Sequence, residues 1–175
     1  MTLPLNRAPD IEFSNLIATS SPAITYGSTR DVYDVLGYPE YVIKKAKNCN
    51  GVNANENEAT IYYTAVINKS LTILNVLAGV IAISQSGDYL IMEKLRTPLP
   101  KNLRNKAHCP VDVSDIKPSS FGVDVGGNVK CLDYGTVRNK VNVKNISQQI
   151  RNANLASPDV ESEMSRIRDI INGSD

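Results

Sequence analysis

The chain has 175 residues, enough for one compact domain with a buried core and short for two. Hydrophobic residues make up 42% and charged residues 21%, which is the composition of a folded globular protein rather than a disordered one. Nineteen basic and eighteen acidic residues give a net charge of +1, which argues against a nucleic-acid binder that relies on bulk positive charge.

Cysteine spacing and apolar runs further limit the classes of protein to which the chain can belong. The three cysteines, Cys49, Cys109 and Cys131, form no C-x-x-C pair, so they predict neither a disulfide framework nor a zinc site. The most apolar segment, residues 71–83, is interrupted by polar residues and is too short to span a bilayer. We therefore expect a soluble protein made in a cytosol, with no membrane span and no nucleic-acid partner.

The first elements predicted along the chain are strands. Residues 1–23 contain scattered prolines and are interpreted as a partly ordered N-terminal arm. A strand pattern begins at Ile24 and, after a turn, alternation over residues 31–35 and 41–44 predicts two more strands. The short turns between them favour antiparallel pairing.

Helical and hairpin patterns follow. The Asn- and Gly-rich stretch 48–57 is interpreted as a polar loop, and a helix is predicted from about Asn55 to Asn68. Residues 80–84 and 89–95 predict a further hairpin. Five antiparallel strands with one helix, followed by a mostly irregular half, indicate an α+β fold.

Two helical segments are predicted in the second half. The basic stretch at residues 101–106 predicts one or two helical turns. A last helix is predicted after Ser157-Pro158 and ends at Gly173, because Ser at the N-cap, Pro at the first position and Gly past the end are typical of helix termini.

The most informative stretch is residues 111–135, VDVSDIKPSSFGVDVGGNVKCLDYG. Asp115 opens the segment D-I-K-P-S-S, and a short apolar strand then leads to Asp133 in D-Y-G. A strand–turn–strand between the two aspartates brings both carboxylates to one cleft. There, one could handle a proton and the other a metal ion.

In order and spacing, residues 24–137 resemble a protein kinase, with an N-lobe at about 24–95 and a truncated C-lobe at about 96–175. The segments that carry the resemblance are Gly27-Ser28 in a turn, Lys44 in Y-V-I-K, Glu58 on the helix, Met92-Glu93 in Y-L-I-M-E, Asp115 with Lys117 in D-I-K-P, and Asp133 in D-Y-G.

The resemblance implies ATP and Mg²⁺ as cofactors and gives roles to residues of the first half. Gly27 and Ser28 would cover the phosphates, although a phosphate-covering loop usually holds more glycines. Lys44 would contact the phosphates and be held by Glu58, with Glu56 as the fallback. Near the hinge, Met92 would guard the pocket, and Glu93 to Leu95 would contact the adenine.

In the second half, the resemblance places the chemistry on four residues. Asp115 would orient the attacking hydroxyl as the catalytic base, and Lys117 would neutralise the transferring phosphoryl group. Asp133 would bind Mg²⁺. Ser120 stands where the family has a second metal ligand, an Asn, and its hydroxyl is a weaker ligand than a carboxamide oxygen.

With so short a C-lobe, the chain is similar to the minimal kinase effectors of pathogenic bacteria, of the OspG and HopBF types. The implied function is a serine/threonine protein kinase that phosphorylates a host protein, with a chaperone favoured over a component of the ubiquitin system. An effector would be secreted into the host cytosol, and a kinase of another kind would be cytoplasmic. Three alternatives stay open: a pseudokinase binding module, a phage-encoded small kinase, and a small-molecule phosphotransferase, which D-I-K-P disfavours.

Overall fold

The computed structural model describes residues 2–18, 22–138 and 147–155. Its main feature is a five-stranded antiparallel sheet with the strand order β1-β2-β3-β5-β4, so the α+β prediction is confirmed. The strands are β1 (Thr25–Tyr26), β2 (Arg30–Val35), β3 (Tyr38–Ala46), β4 (Val80–Ile83) and β5 (Tyr89–Glu93).

The register of the sheet decides which side chains share its inner face. In the pairing of β3 with β5, Val42 lies opposite Met92 and Lys44 lies opposite Leu90. Because side chains alternate along a strand, these four residues point to the same face, and Lys45 points to the other. Lys44 is accordingly buried, whereas Lys45 is exposed.

The helix that packs on the sheet, α2, runs over Cys49–Ile67, so its predicted start near Asn55 is wrong. Asn48 is the N-cap, and its side chain accepts a hydrogen bond of 3.1 Å from the Gly51 amide. The asparagines and glycine that suggested a loop instead serve the first turns of the helix. Gly51 is needed there because a Cβ atom would collide with the carbonyl oxygen of Thr29.

The outer face of the sheet is covered by the N-terminal segment. A short helix, α1 (Asp10–Ser14), places Phe13 against the sheet, and Leu16 follows it into the same cluster. Both side chains are buried with Ile43 and Ile91, which alternate with the inward-facing residues of β3 and β5. Residues 2–18 therefore complete one of the two hydrophobic clusters of the fold.

The second half packs against the sheet and helix through short elements. These are α3 (Leu71–Leu74), a 3₁₀ helix at Lys101–Lys106, β6 (His108–Pro110), a 3₁₀ turn at Pro118–Ser120, β7 (Phe121–Val123), β8 (Val129–Cys131) and β9 (Ile150–Asn152). Strands β7 and β8 form an antiparallel hairpin, the strand–turn–strand expected between the two aspartates. Strand β6 pairs with β9.

Four short elements of the fold were not predicted as regular structure, namely α1, α3, β6 and β9. Each has five residues or fewer, too few for a hydrophobic period to be recognised. The predicted helix after Ser157 lies outside the described residues. Within the described ranges, no helix is long and apolar enough to cross a membrane.

Candidate functional site

The centre of the site is a buried ion pair between β3 and α2. Lys44 Nζ lies 3.0 Å from Glu58 Oε1 and 2.9 Å from Glu58 Oε2, and it also donates to the carbonyl oxygen of Leu132. Burial is the largest influence on the pKa of Lys44 and lowers it, although Glu58 acts in the opposite direction. The fallback residue, Glu56, instead pairs with Arg7 at the surface.

A second cation, Arg30, enters the same site from the first position of β2. Its Nη1 lies 2.9 Å from Glu58 Oε2, and its Nη2 lies 3.1 Å from Glu58 Oε1 and 2.7 Å from Asp133 Oδ1. Nη1 also donates to Asn55 Oδ1 at 3.2 Å. The guanidinium therefore links helix α2 to the D-Y-G segment, and its side chain is only 10% exposed.

Sequence reasoning missed Arg30, although it stands two residues after Ser28. Charge balance is the signal that could have found it. The predicted inner site put Lys44 with the carboxylates of Glu58 and Asp133, and buried carboxylates in excess of their cations are costly. An arginine at the start of the adjacent strand was available to supply the missing charge.

Asp133 follows β8 and has a side chain that is 37% exposed. Burial tends to raise the pKa of its carboxyl group, but the charges of Lys44 and Arg30 outweigh burial and hold this pKa below its ordinary value. The charge of Lys117 acts in the same direction. The carboxylate of Asp133 is therefore ionised at neutral pH.

Asp115 and Lys117 lie on an exposed turn beside this segment. Lys117 Nζ is 3.7 Å from Asp115 Oδ2, and the Asp115 side chain is 66% exposed. The turn is tied to the residues after Asp133 because the Ser114 amide donates to the carbonyl oxygen of Thr136 at 2.8 Å. Asp115 has a φ of +53°, in the left-handed region that is costly for a non-glycine residue and is enriched at functional sites.

Ser120 ends the 3₁₀ turn at Pro118–Ser120 and is completely buried. Its carbonyl oxygen accepts a hydrogen bond of 2.8 Å from the amide of Leu132, the residue before Asp133. Its Oγ atom is buried and has no hydrogen-bond partner in the described part of the chain. An unpaired buried hydroxyl is unusual in a folded protein, so this atom has a donor and acceptor capacity to offer a ligand.

The three residues predicted at the hinge have different surroundings. Met92 is fully buried in the core. Both oxygens of Glu93 accept from Lys130 on β8, at 3.1 and 2.9 Å, and Oε2 also accepts from the Gly79 amide at 3.1 Å. The Glu93 side chain therefore joins β5 to the β7–β8 hairpin. Leu95 is buried, and its amide has no hydrogen-bond partner among the described residues.

The segment that follows β5 packs closely on β7. Arg96 and Val123 exchange two backbone hydrogen bonds, of 2.9 and 3.0 Å. A Cβ atom at Gly122 would lie 2.6 Å from the Leu95 Cβ atom, so only glycine allows this approach. Backbone contacts thus hold the segment after β5 close to strand β7.

The predicted phosphate-covering turn folds back toward α2. The Gly27 amide donates to the Arg30 carbonyl oxygen at 2.9 Å, and a Cβ atom at Gly27 would lie 2.6 Å from that oxygen. The carbonyl oxygen of Thr29 accepts from the Lys47 amide at 2.8 Å. Ser28 is exposed at the tip of the turn. The turn therefore positions Arg30 over the ion pair.

An open groove of about 860 Å³ lies at the outer end of the hinge, where β3 begins and β5 ends. Glu93 and Leu95 are among its lining residues, but Lys44, Glu58 and Asp133 are not. Eight of the eleven predicted site residues thus fall into two regions. Lys44, Glu58, Asp133, Ser120, Asp115 and Lys117 are brought together around the D-Y-G segment, and Glu93 and Leu95 face the groove.

The first region offers side chains of the kinds that a magnesium-bound polyphosphate would require. Asp133 supplies an ionised carboxylate, and Ser120, whose carbonyl oxygen accepts from the Leu132 amide, has a buried hydroxyl without a partner among the described residues. Mg²⁺ in phosphate-transfer sites is held by one or two carboxylates together with phosphate oxygens and water. Lys44 and Arg30 carry the positive charge that phosphate oxygens would require, and in the ligand-free protein this charge is paired with Glu58 and Asp133.

No protein-family model matches the chain. A comparison with curated proteins likewise finds no similar sequence.

Proposed function

We propose that this protein is a minimal protein-kinase-like enzyme, an ATP- and Mg²⁺-dependent serine/threonine phosphotransferase that acts on a protein. The observation that carries the proposal is the buried Lys44–Glu58 pair, which is bonded to the D-Y-G segment through Leu132 and, by way of Arg30, through Asp133. Sequence order supports it, because strand lysine, helix glutamate, hinge, D-I-K-P and D-Y-G follow one another as they do in kinases.

The buried residues would hold the nucleotide. Lys44 is fixed by Glu58 and would contact phosphate oxygens, while the carboxylate of Asp133 would hold Mg²⁺. Bound Mg²⁺ would neutralise charge on the phosphates. The Leu95 amide, which has no partner among the described residues, would donate to an adenine ring at the proposed hinge.

The exposed residues would meet the substrate. Asp115 lies on a strained, solvent-accessible turn, so a hydroxyl group on the surface of another protein can reach its carboxylate. Lys117 lies beside it and would offset the negative charge of the transferring group. This exposure supports a folded protein as the substrate. The resemblance to minimal effectors favours a host chaperone and secretion into the host cytosol.

One observation favours a second function, a pseudokinase binding module. Asp133 is already paired with Arg30, and Ser120 replaces the asparagine that would supply a second metal ligand. Such a protein binds nucleotide without transferring phosphate. The two functions differ in turnover and share the site.

Phosphate transfer to eukaryotic proteins distinguishes them. The purified chain is incubated with ATP, Mg²⁺ and a eukaryotic lysate, and new phosphosites are identified by mass spectrometry. We expect phosphosites on serine or threonine that disappear with Asp115→Asn and persist with Asp34→Asn, an exposed control on β2 that pairs with Lys94. Nucleotide binding without any phosphosites supports the binding module, and equal transfer by Asp115→Asn refutes the assigned site.

A further inference from the structure

The Arg30 guanidinium lies between α2 and Asp133 and is bonded to both. Around it, two cations, Arg30 and Lys44, face two carboxylates, Glu58 and Asp133, so this group of four is electrically balanced. An added cation would meet no net negative charge in this group. In the absence of a ligand, these four side chains therefore offer little net attraction to a free cation.

Arg30 is held more firmly on the helix side than on the Asp133 side. Its side chain makes four hydrogen bonds to described residues, and three of them go to Glu58 and Asn55, which are both fully buried. Asn55 is itself fixed, because its Nδ2 donates to the carbonyl oxygens of Gly87 and Asp88. The remaining bond goes to Asp133, whose side chain is 37% exposed. A competing ion would break the bond to Asp133 first.

The bond to Asp133 opposes a divalent cation in two ways. It engages Oδ1, one of the two oxygens that could coordinate the ion, at 2.7 Å. It also places a positive charge where the cation would lie, and like charges at a few ångströms repel strongly in a partly buried site. A ligand with phosphate groups changes this balance because its oxygens accept hydrogen bonds from a guanidinium.

We propose that Arg30 is a latch that keeps Asp133 from binding a divalent cation until a phosphate-bearing ligand draws the guanidinium away. The latch rests on the proposed function for the identity of that ligand, a magnesium-bound nucleotide. The ligand-free state, in which Arg30 is bonded to Asp133, does not rest on the proposed function, because it is defined by the contacts of Arg30 alone.

Binding of Mn²⁺ without nucleotide tests the latch. The free ion is followed by electron paramagnetic resonance as Mn²⁺ is titrated into the full chain. Arg30→Gln removes the charge and leaves Glu58 paired with Lys44. We expect it to bind Mn²⁺ roughly ten-fold more tightly than the parent, and the gain to vanish in Arg30→Gln with Asp133→Asn. Arg7→Gln, which removes an exposed arginine from Glu56 on the same helix, is the matched control and should bind like the parent.

A second variant keeps the test decisive if Arg30→Gln does not fold. Arg30→Lys retains a cation beside Glu58, but a single ammonium lacks the fork that spans two carboxylates. It should bind Mn²⁺ more tightly than the parent. Parent-like Mn²⁺ affinity in the folded Arg30 variants overturns the latch. Failure of the parent to gain thermal stability from ATP with Mg²⁺ would count against the proposed function and leave the Mn²⁺ result unaffected.

Discussion

Lys44 and Glu58 form a buried ion pair in which both carboxylate oxygens lie within 3.0 Å of the lysine Nζ. The pair joins the middle strand of the sheet to helix α2, and Lys44 also bonds to Leu132 of the second half. Three parts of the fold thus meet at one ammonium group. The same arrangement is the basis of the proposed nucleotide site.

Loss of the shared carboxylate should destabilise the protein. Glu58→Gln leaves the buried ammonium of Lys44 without the carboxylate that pairs with it, and breaking a buried ion pair costs on the order of 3–5 kcal/mol. Glu56→Gln is the control because it removes only an exposed pair with Arg7, worth about 0–1 kcal/mol. Urea unfolding measures both. Equal losses of unfolding free energy in the two variants would contradict the role of the Glu58 carboxylate as the anion that the two buried cations share.

Stability at acid pH should depend on Asp133. Its pKa is lowered in the folded state, so the unfolded chain binds the proton more readily, and the contribution of this group is present above the ordinary carboxyl pKa. That contribution is lost as the pH falls from about 4 through the folded pKa. Asp133→Asn should therefore show a shallower loss of stability over this range than Asp34→Asn in acid titrations followed by circular dichroism. Identical slopes would show that Asp133 is not stabilised as an anion.

The N-terminal segment should be essential to the fold. Phe13 is fully buried on the outer face of the sheet, and removing a buried phenylalanine side chain costs about 3–5 kcal/mol. Ile11, two residues earlier on the same short helix, is 63% exposed and provides the control. Urea unfolding should place Phe13→Ala well below Ile11→Ala in stability. Similar midpoints would mean that the segment does not belong to the core.

Substitution of Ser120 should have opposite effects on the stability of the ligand-free protein and on its use of Mg²⁺. Because the Oγ atom is buried without a partner, Ser120→Ala removes an unsatisfied hydroxyl and should raise the stability of the ligand-free protein by about 1 kcal/mol. If the hydroxyl serves the cofactor, the same variant needs more Mg²⁺ for half-maximal phosphate transfer. Thermal unfolding and a Mg²⁺ titration give the two values. Unchanged Mg²⁺ dependence would remove Ser120 from the site.

Much of the fold could be predicted because long periodic segments carry their own signal. The alternation in β2, β3 and β5 and the face of α2 that includes Glu58 and Ile61 were readable in this way. The start of α2 was not, because asparagine is favoured in turns and at helix N-caps alike, and composition cannot distinguish the two. Only the hydrogen bond from the Gly51 amide to the Asn48 side chain decides the boundary.

Residues of the candidate site could be predicted where they belong to a sequence pattern whose residue types and spacing indicate one role. Lys44, Glu58 and Asp133 belong to such patterns, and the structure brings them together. Arg30 belongs to no pattern. Its position depends on a turn that folds back on α2 and on a contact with Asp133 across 103 positions of sequence, which a local reading cannot supply.

Calorimetric titration with a non-hydrolysable ATP analogue and Mg²⁺ tests the nucleotide site most directly. We predict saturable 1:1 binding to the parent chain and a loss of at least about ten-fold in affinity for Lys44→Met and Asp133→Asn, since each removes a charge that faces the magnesium-bound phosphates. Lys45→Met, the exposed neighbour on the opposite face of β3, should bind like the parent. Absence of binding to the parent, or equal binding by all four proteins, would contradict the site.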